Sequence, residues 1–249
     1  LRWQHPERGL VLPAEFIGVA EESGMIVPIG DWVLEQACQQ LRLWAEREPC
    51  RHWSLAINVS ARQFAEADFA DKVIAALARH DANPAHLRLE LTESLLHSDL
   101  EATIARMERL RQEGVRFSLD DFGTGFSSFV HLNNLPITLL KIDKSFVAGM
   151  GERAENRQLV RAMINLAHNL NLEVVAEGVE TEGQIALLPQ PLIRQRMAEL
   201  RRQVAPAHEQ ARAAEVRVHA GDHRTDDRPE RHAQEADPRR IDVGLRRQP

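Results

Sequence analysis

The stretch Phe117-Ser118-Leu119-Asp120-Asp121-Phe122-Gly123-Thr124-Gly125-Phe126-Ser127-Ser128-Phe129 passes from an apolar, strand-like segment into two adjacent carboxylates and then a Gly-Thr-Gly loop. Two neighbouring acids at the end of a buried strand repel each other and resist desolvation. A chain carries that pair most easily where a cation sits between them. The remaining candidate site residues, from Arg2 to Glu180, read as a shell around Asp120 and Asp121.

Working outward, strand-like and helix-like patterns alternate. Strands are expected at Ser54–Ser60, Leu87–Glu93, Val115–Asp121, Leu139–Asp143 and Leu172–Val179. Amphipathic helices are expected at Ala14–Glu22, at Asp71–Arg79, across Leu100, Ile104, Met107 and Leu110, and at Asn156–Leu170. Asp31 is placed to cap a further helix bearing Val33, Leu34, Ala37, Leu41 and Trp44. Thr181-Glu182-Gly183-Gln184 has the form of a capping box, and Pro189 and Pro191 would stop its helix within two turns. Strand and helix repeating at roughly thirty-residue intervals mean βαβ units and a parallel sheet. Polar residues gather at the C-terminal ends of these strands: Asn58, Glu90 and Glu93, Asp120 and Asp121, Lys141 and Asp143, Glu177 and Glu180. An open doubly wound sheet draws its ligand groups from a single switch point, whereas a parallel barrel collects them from every strand. Five contributing strand ends favour an α/β fold of the TIM-like (β/α) barrel type.

The chain of 249 residues is 43% apolar and 27% charged, which is ordinary for a globular protein. Its net charge of −6 is unevenly spread: residues 1–188 hold 18 Lys+Arg against 27 Asp+Glu, and residues 189–249 hold 13 against 10. An acidic body argues against binding duplex nucleic acid. Two cysteines, Cys38 and Cys50, make no disulfide framework, so a cytoplasmic setting is the expectation. No apolar run reaches the length of a membrane span, so no membrane contact is expected of this segment. A start at Leu1 without Met reads as a piece of a longer protein, in which an upstream segment could provide a membrane anchor. From residue 189 onward Lys, Phe, Trp, Tyr and Cys are all absent while Arg is abundant. Apart from Leu192–Val204, which could form a solvated helix, this is the composition of a disordered tail. It is also what a GC-rich gene yields when read out of frame from near Leu188. The domain is therefore expected to occupy residues 1–188, partial at both ends, with 189–249 a non-homologous tail.

Asp120 and Asp121 suit a two-metal site, in which one oxygen ligand bridges ions about 3.5–4 Å apart. Asn58, Glu90 and Glu177 add further hard oxygen donors, and neither Cys nor His is among them, which selects Mg²⁺ or Mn²⁺ over Zn²⁺. A lone Asp at a strand end more often caps a helix, and a lone Glu is more often a solvated rim charge. Five such residues in register at successive strand ends are poorly explained that way. Lys141 is one of three lysines, with Lys72 and Lys144. Facing inward it would stay charged beside the carboxylates and orient a water or a phosphate oxygen; the plainer reading is a salt bridge to Asp143 or Asp120. The loop containing Gly123, Thr124, Gly125 and Ser127 lacks the lysine of a P-loop. It reads either as a loop that orders on ligand binding, anchored by Glu93, or as a plain strand-to-helix turn. His219 and His223 have helical metal spacing but no partner ligands.

Together these motifs resemble the EAL-domain family of bacterial cyclic di-GMP phosphodiesterases. The matching elements are Arg2-Trp3-Gln4-His5-Pro6, Pro13-Ala14-Glu15-Phe16 with Ala20-Glu21, Asn58-Val59-Ser60, Glu90-Leu91-Thr92-Glu93, Asp120 to Ser128, Lys141-Ile142-Asp143 and Ala176-Glu177-Gly178-Val179-Glu180, in family order. The resemblance implies a TIM-like barrel and hydrolysis of cyclic di-GMP to linear pGpG with two Mg²⁺ or Mn²⁺ ions. By position it implies Asn58, Glu90 and Asp120 as ligands of one metal, with Asp120 bridging and Asp121 on the second. Lys141 would hold the attacking water, and Glu177 would serve as general base or ligand. Glu93 would steady the loop after the aspartates, and Glu180 would be a supporting carboxylate. Arg2 would contact substrate phosphate, with Asp143 close behind the site. Family members often form homodimers and often carry an upstream sensory or diguanylate-cyclase-type domain. The Glu-Ala-Leu triplet that names the family would end just before Leu1, and its last strands would follow Leu188. Impaired turnover is therefore expected of the 249 residues alone. The competing reading is a non-catalytic receptor for cyclic di-GMP, usually marked by lost ligands; here the family's ligands within residues 1–188 are retained.

Overall fold

A computed structural model describes residues 1–48, 50–97, 99–124, 132–188 and 217–219; the side chains of residues 96, 97 and 217–219 are outside the description. The described residues fall into two units, one of Leu1–Ser23 with Arg217–His219 and the other of residues 24–188. In the first, β1 (Arg2–His5) pairs antiparallel with β2 (Gly9–Val11) and leads into α1 (Pro13–Ser23). Trp3 packs edge-on against Phe16 with ring centres 5.9 Å apart. Of the expected tail, only Arg217–His219 is described, as a short strand parallel to β1. The helix expected at Leu192–Val204 and the histidines beyond 219 lie outside the described residues.

The second unit is a five-stranded parallel sheet with its strands in chain order: β3 (Leu55–Val59), β4 (Leu87–Thr92), β5 (Arg116–Phe122), β6 (Leu139–Ile142) and β7 (Glu173–Ala176). The helices are α2 (Ile26–Ala45), α3 (Ala61–Ala65), α4 (Phe69–Arg79), α5 (Leu100–Gln112), α6 (Lys144–Ala148), α7 (Ala154–Asn169) and α8 (Glu182–Leu187). β4 shows how alternation divides the two faces. Leu87, Leu89 and Leu91 are buried in the main core cluster, while Arg88, Glu90 and Thr92 between them are only half-buried. Val73, Ala76 and Leu77 of α4, Met107 and Leu110 of α5, and Val160, Ile164 and Ala167 of α7 belong to the same cluster. The apolar stripes of these helices therefore bury the outer face of the sheet, as parallel sheets require.

Side chains in the segments that follow the strands cap the next helices. Ser60 Oγ accepts from Gln63 N at 3.1 Å, and Asp99 Oδ1 from Ala102 N at 3.1 Å. Asp143 Oδ1 accepts from Ser145 N at 2.9 Å. The capping box at Thr181 and Gln184 is formed in both directions.

Asp31 does not cap α2. That helix begins five residues earlier at Ile26, with Pro28 in its first turn, where no intrahelical N–H partner is needed. Asp31 instead pairs with Lys72 of α4 at 3.2 Å. β7 ends at Ala176, short of the expected Val179, and β4 ends at Thr92, with Glu93 opening a 3₁₀ turn. No helix among the described residues is long and apolar enough to cross a membrane.

Glu35 ties α2 to α4 by pairing with His80 Nε2 at 2.7 Å and with Arg79. Burial works against the Glu35 charge, but hydrogen bonds from His80 and Arg79 outweigh it and hold the carboxyl below its ordinary range. A depressed folded-state value gives stability that is present above the ordinary carboxylate pKa and is lost as pH falls through the folded value. Glu35→Gln is expected to lower stability at pH 7 by about 0.5–1 kcal/mol, the range of partly exposed pairs. In thermal melts across pH, the gap from wild type should close below about pH 4.

Candidate active site

Asp120 and Asp121 are brought to one face by an irregularity in β5. Leu119 is opposite Leu140 and Phe122 opposite Ile142, so two residues on β5 face the single residue Lys141 on β6. This is a β-bulge, and Asp121 within it has φ +53°, a left-handed conformation that aspartate tolerates better than most side chains. In an unbroken strand, adjacent residues point to opposite faces and Asp121 would be driven among the helices. The bulge resets the phase, so that Leu119 and Phe122 both join the core. Oxygens of Asp120, Asp121 and Glu177 then lie within 4.8 Å of one another.

Lys141 enters the site from β6. Its neighbours Leu140 and Ile142 are fully buried, while its own Nζ meets Glu90 Oε2 at 2.9 Å, Asp120 Oδ2 at 2.9 Å and Glu177 Oε1 at 2.7 Å. Desolvation opposes the ammonium charge, but hydrogen bonds to Glu177, Asp120 and Glu90 outweigh it and raise its pKa above the ordinary lysine value. Asp120 Oδ1 also accepts from Asp121 N at 3.0 Å. Asp121 is shifted upward, first by desolvation and then by the charges of Asp120, Asp143 and Glu177, with Lys141 only partly opposing. Burial first and neighbouring anions second disfavour the Asp121 charge, and a cation on the same oxygens would offset both. That supports the fit of a hard divalent cation to this all-oxygen set.

Asn58 is exposed on β3, in register with Glu90, which is in register with Ser118. Glu93 is buried, and its Oε2 accepts from Gly123 N at 3.1 Å; Thr124 Oγ1 donates to the Asp121 carbonyl at 2.8 Å. These bonds fix the first turn of the loop, whereas Gly125 and Ser127 lie outside the described residues. The Asp143 carboxylate is engaged at the N-terminus of α6, and the Ser145 hydroxyl beside it holds its pKa below the usual range. Glu180 is exposed beyond β7, where its main-chain N–H donates to Gln184 Oε1 at 2.8 Å. Arg2 is in β1 of the other unit, its guanidinium donating to the Leu1 carbonyl at 2.7 Å. Ser118, absent from the sequence-based expectation, is fully buried and its hydroxyl reaches towards Glu90 Oε1 at 3.5 Å. The period of two was its signal, since Ser118 lies two residues before Asp120.

Gly123 has φ +100°, and a Cβ there would stand 2.4 Å from Met163 Cε and 2.9 Å from Phe146 Cε2. Gly123→Ala combines a left-handed backbone penalty with overpacking, an expected loss of about 2–4 kcal/mol in denaturant titration. Gly178, at φ +66°, similarly lets the chain after Glu177 pass the Lys144 side chain, 2.7 Å from where a Cβ would be.

The EAL-domain family model matches residues 1–190, and the chain belongs to that family. The bifunctional diguanylate cyclase/cyclic di-GMP phosphodiesterase MucR of Pseudomonas aeruginosa is 47% identical over 184 residues, 74% of this chain and 27% of MucR. The cyclic di-GMP phosphodiesterase NbdA of the same organism is 43% identical over 190 residues, 76% of this chain and 24% of NbdA. The chain thus spans about a quarter of the length of these curated relatives. Among solved structures, the PaMucR phosphodiesterase in complex with c-di-GMP has a TM-score of 0.71 at 42% identity, covering 79% of this chain and 84% of that one. The EAL enzyme Bd1971, in its cAMP- and cyclic-di-GMP-bound form, has a TM-score of 0.70 at 33% identity, covering 80% and 58%. The five-stranded sheet is accordingly part of a TIM-barrel-like EAL fold.

Proposed function

We propose that this chain carries the centre of a metal-dependent phosphodiesterase site that hydrolyses cyclic di-GMP to linear pGpG. The observation that carries the reading is the convergence of Asp120, Asp121 and Glu177 across the β5 bulge, in a member of a family whose named relatives are cyclic di-GMP phosphodiesterases. Asp120, Asp121, Glu90 and Asn58 would hold two Mg²⁺ or Mn²⁺ ions, with Glu177 at the edge of the set. Bound there, such ions lower the pKa of a ligated water and offset charge on the phosphate.

The chain's own residues supply the geometry. Lys141 keeps Glu90, Asp120 and Glu177 turned towards one point, and its ammonium offers a donor to a water or phosphate oxygen entering among them. Glu177 follows β7 directly and its main-chain N–H donates to the Ile142 carbonyl at 3.0 Å, which holds this carboxylate beside Lys141. From there it can accept a proton from the attacking water. Glu93 pins Gly123 and so fixes the start of the loop that follows the aspartates. Arg2, Asp143 and Glu180 are assigned outer roles, at the substrate phosphate and behind the carboxylates. Both cysteines are free thiols, which suits the cytoplasmic setting we assign to this reaction.

The test is incubation with cyclic di-GMP and Mg²⁺ or Mn²⁺, followed by separation of nucleotide products. Metal-dependent release of pGpG, stopped by chelation and at the reduced rate expected of these residues alone, is the expected result. Binding of cyclic di-GMP without turnover in either metal would instead establish the receptor reading.

A further inference from the structure

The Lys141 ammonium donates to Glu90 and Asp120 at 2.9 Å and forms an ion pair with Glu177 at 2.7 Å. Two of these partners, Asp120 and Glu177, also belong with Asp121 to the oxygen set that converges within 4.8 Å. Of the four carboxylates, Lys141 forms ion pairs with three and not with Asp121, which the bulge carries past it. Glu90 is a further ligand in the set proposed above, so the ammonium and incoming divalent cations draw on the same three side chains. We propose that Lys141 is the resident counter-ion of this site, holding its carboxylates in place before metal arrives and competing with metal for them.

The inference rests on the reading of these carboxylates as metal ligands. Carboxylates held this close need a cation in every state of the protein, because like charges at short range in a partly buried site repel several times more strongly than in bulk water. Without metal, the cation among the described residues that these contacts place with Glu90, Asp120 and Glu177 is Lys141. Once a divalent ion sits on Asp120, Asp121 and Glu177, the ammonium stands beside a like charge and its contacts to Asp120 and Glu177 weaken. The lysine is thereby turned from a bridge among ligands into a free donor facing the same space. Metal loading and release of the ammonium are then one event. Metal affinity is set below what the oxygens alone would give.

Isothermal titration of Mn²⁺ into wild type, Lys141→Met and Lys141→Arg, without nucleotide, tests this directly. Lys141→Met is expected to bind Mn²⁺ at least about tenfold more tightly than wild type, a difference of about 1.4 kcal/mol. Lys141→Arg, which keeps the charge, is expected to gain no affinity. Equal or weaker binding by Lys141→Met overturns the inference while leaving the metal reading intact. Absence of Mn²⁺ binding in all three proteins overturns the metal reading as well.

A measurement on wild type alone guards against a variant that folds poorly. With only three lysines in the chain, nitrogen-15 lysine NMR can isolate the Lys141 ammonium. Its protons, protected by two hydrogen bonds and an ion pair in the metal-free protein, should exchange faster at saturating Mg²⁺. Protection unchanged by Mg²⁺ that is shown to bind would contradict the proposal.

Discussion

Asp120→Asn should reduce cyclic di-GMP turnover by at least about a thousandfold while leaving the fold close to its wild-type stability. The size follows from what one charged group aimed at a reacting centre contributes, about 10²–10³ for a single neutral donor and more for a carboxylate that also holds a cation. The stability side follows from geometry. An Asn side-chain oxygen can still accept from Asp121 N, the bond Asp120 Oδ1 makes at 3.0 Å. Lys141 keeps Glu90 and Glu177 as partners, and the repulsion that raises Asp121 is relieved. These effects oppose each other, so the net change should stay within about 1 kcal/mol. Product analysis and thermal melts on the same preparation check both halves. Lost turnover accompanied by a collapsed fold would mean that Asp120 is structural rather than chemical.

Lys141→Met should have the largest effect on folding in the absence of metal, a loss of about 3–5 kcal/mol. The side chains of Lys141, Glu90 and Asp120 are only 12–13% exposed, so removing the ammonium leaves buried carboxylates without their shared partner. Because the folded-state pKa of Lys141 is raised, its contribution is fully present below the ordinary lysine value and is lost only as pH rises through the folded value. The deficit of the variant should therefore be constant between about pH 6 and 9, where an unperturbed lysine stays charged. Denaturant titration across that range, with a chelator present, measures it. A deficit under about 1 kcal/mol would show the three ion pairs to be as weak as exposed surface pairs.

Much of this arrangement is legible in the chain itself. The alternation of Leu87, Leu89 and Leu91 with Arg88, Glu90 and Thr92 announces a strand with one core face and one polar face. Repeating that pattern with intervening helices gives a parallel sheet and places Asn58, Glu90, Asp120, Lys141 and Glu177 at strand ends. Two features were harder to see. The bulge at Asp120-Asp121 appears in the sequence only as a slip in phase, because Leu119 and Phe122 cannot share a face unless one residue is extra. The start of α2 was hidden because Asp31 is a chemically plausible cap. The helix instead begins at Ile26, where no polar side chain marks the turn, and Asp31 is used for a lateral pair to Lys72. Glu180 and Asp143 show the limit of position alone. Both are acids just past strand ends, yet one is exposed and the other is committed to the N-terminus of α6.

The central claim is that the β5 bulge turns Asp120 and Asp121 into ligands of divalent cations beside Lys141. Anomalous diffraction from crystals grown with Mn²⁺ and cyclic di-GMP tests it most directly. The account predicts Mn²⁺ peaks in contact with carboxylate oxygens of both Asp120 and Asp121, with substrate phosphate against them. Ordered cyclic di-GMP with no Mn²⁺ on either aspartate would contradict it.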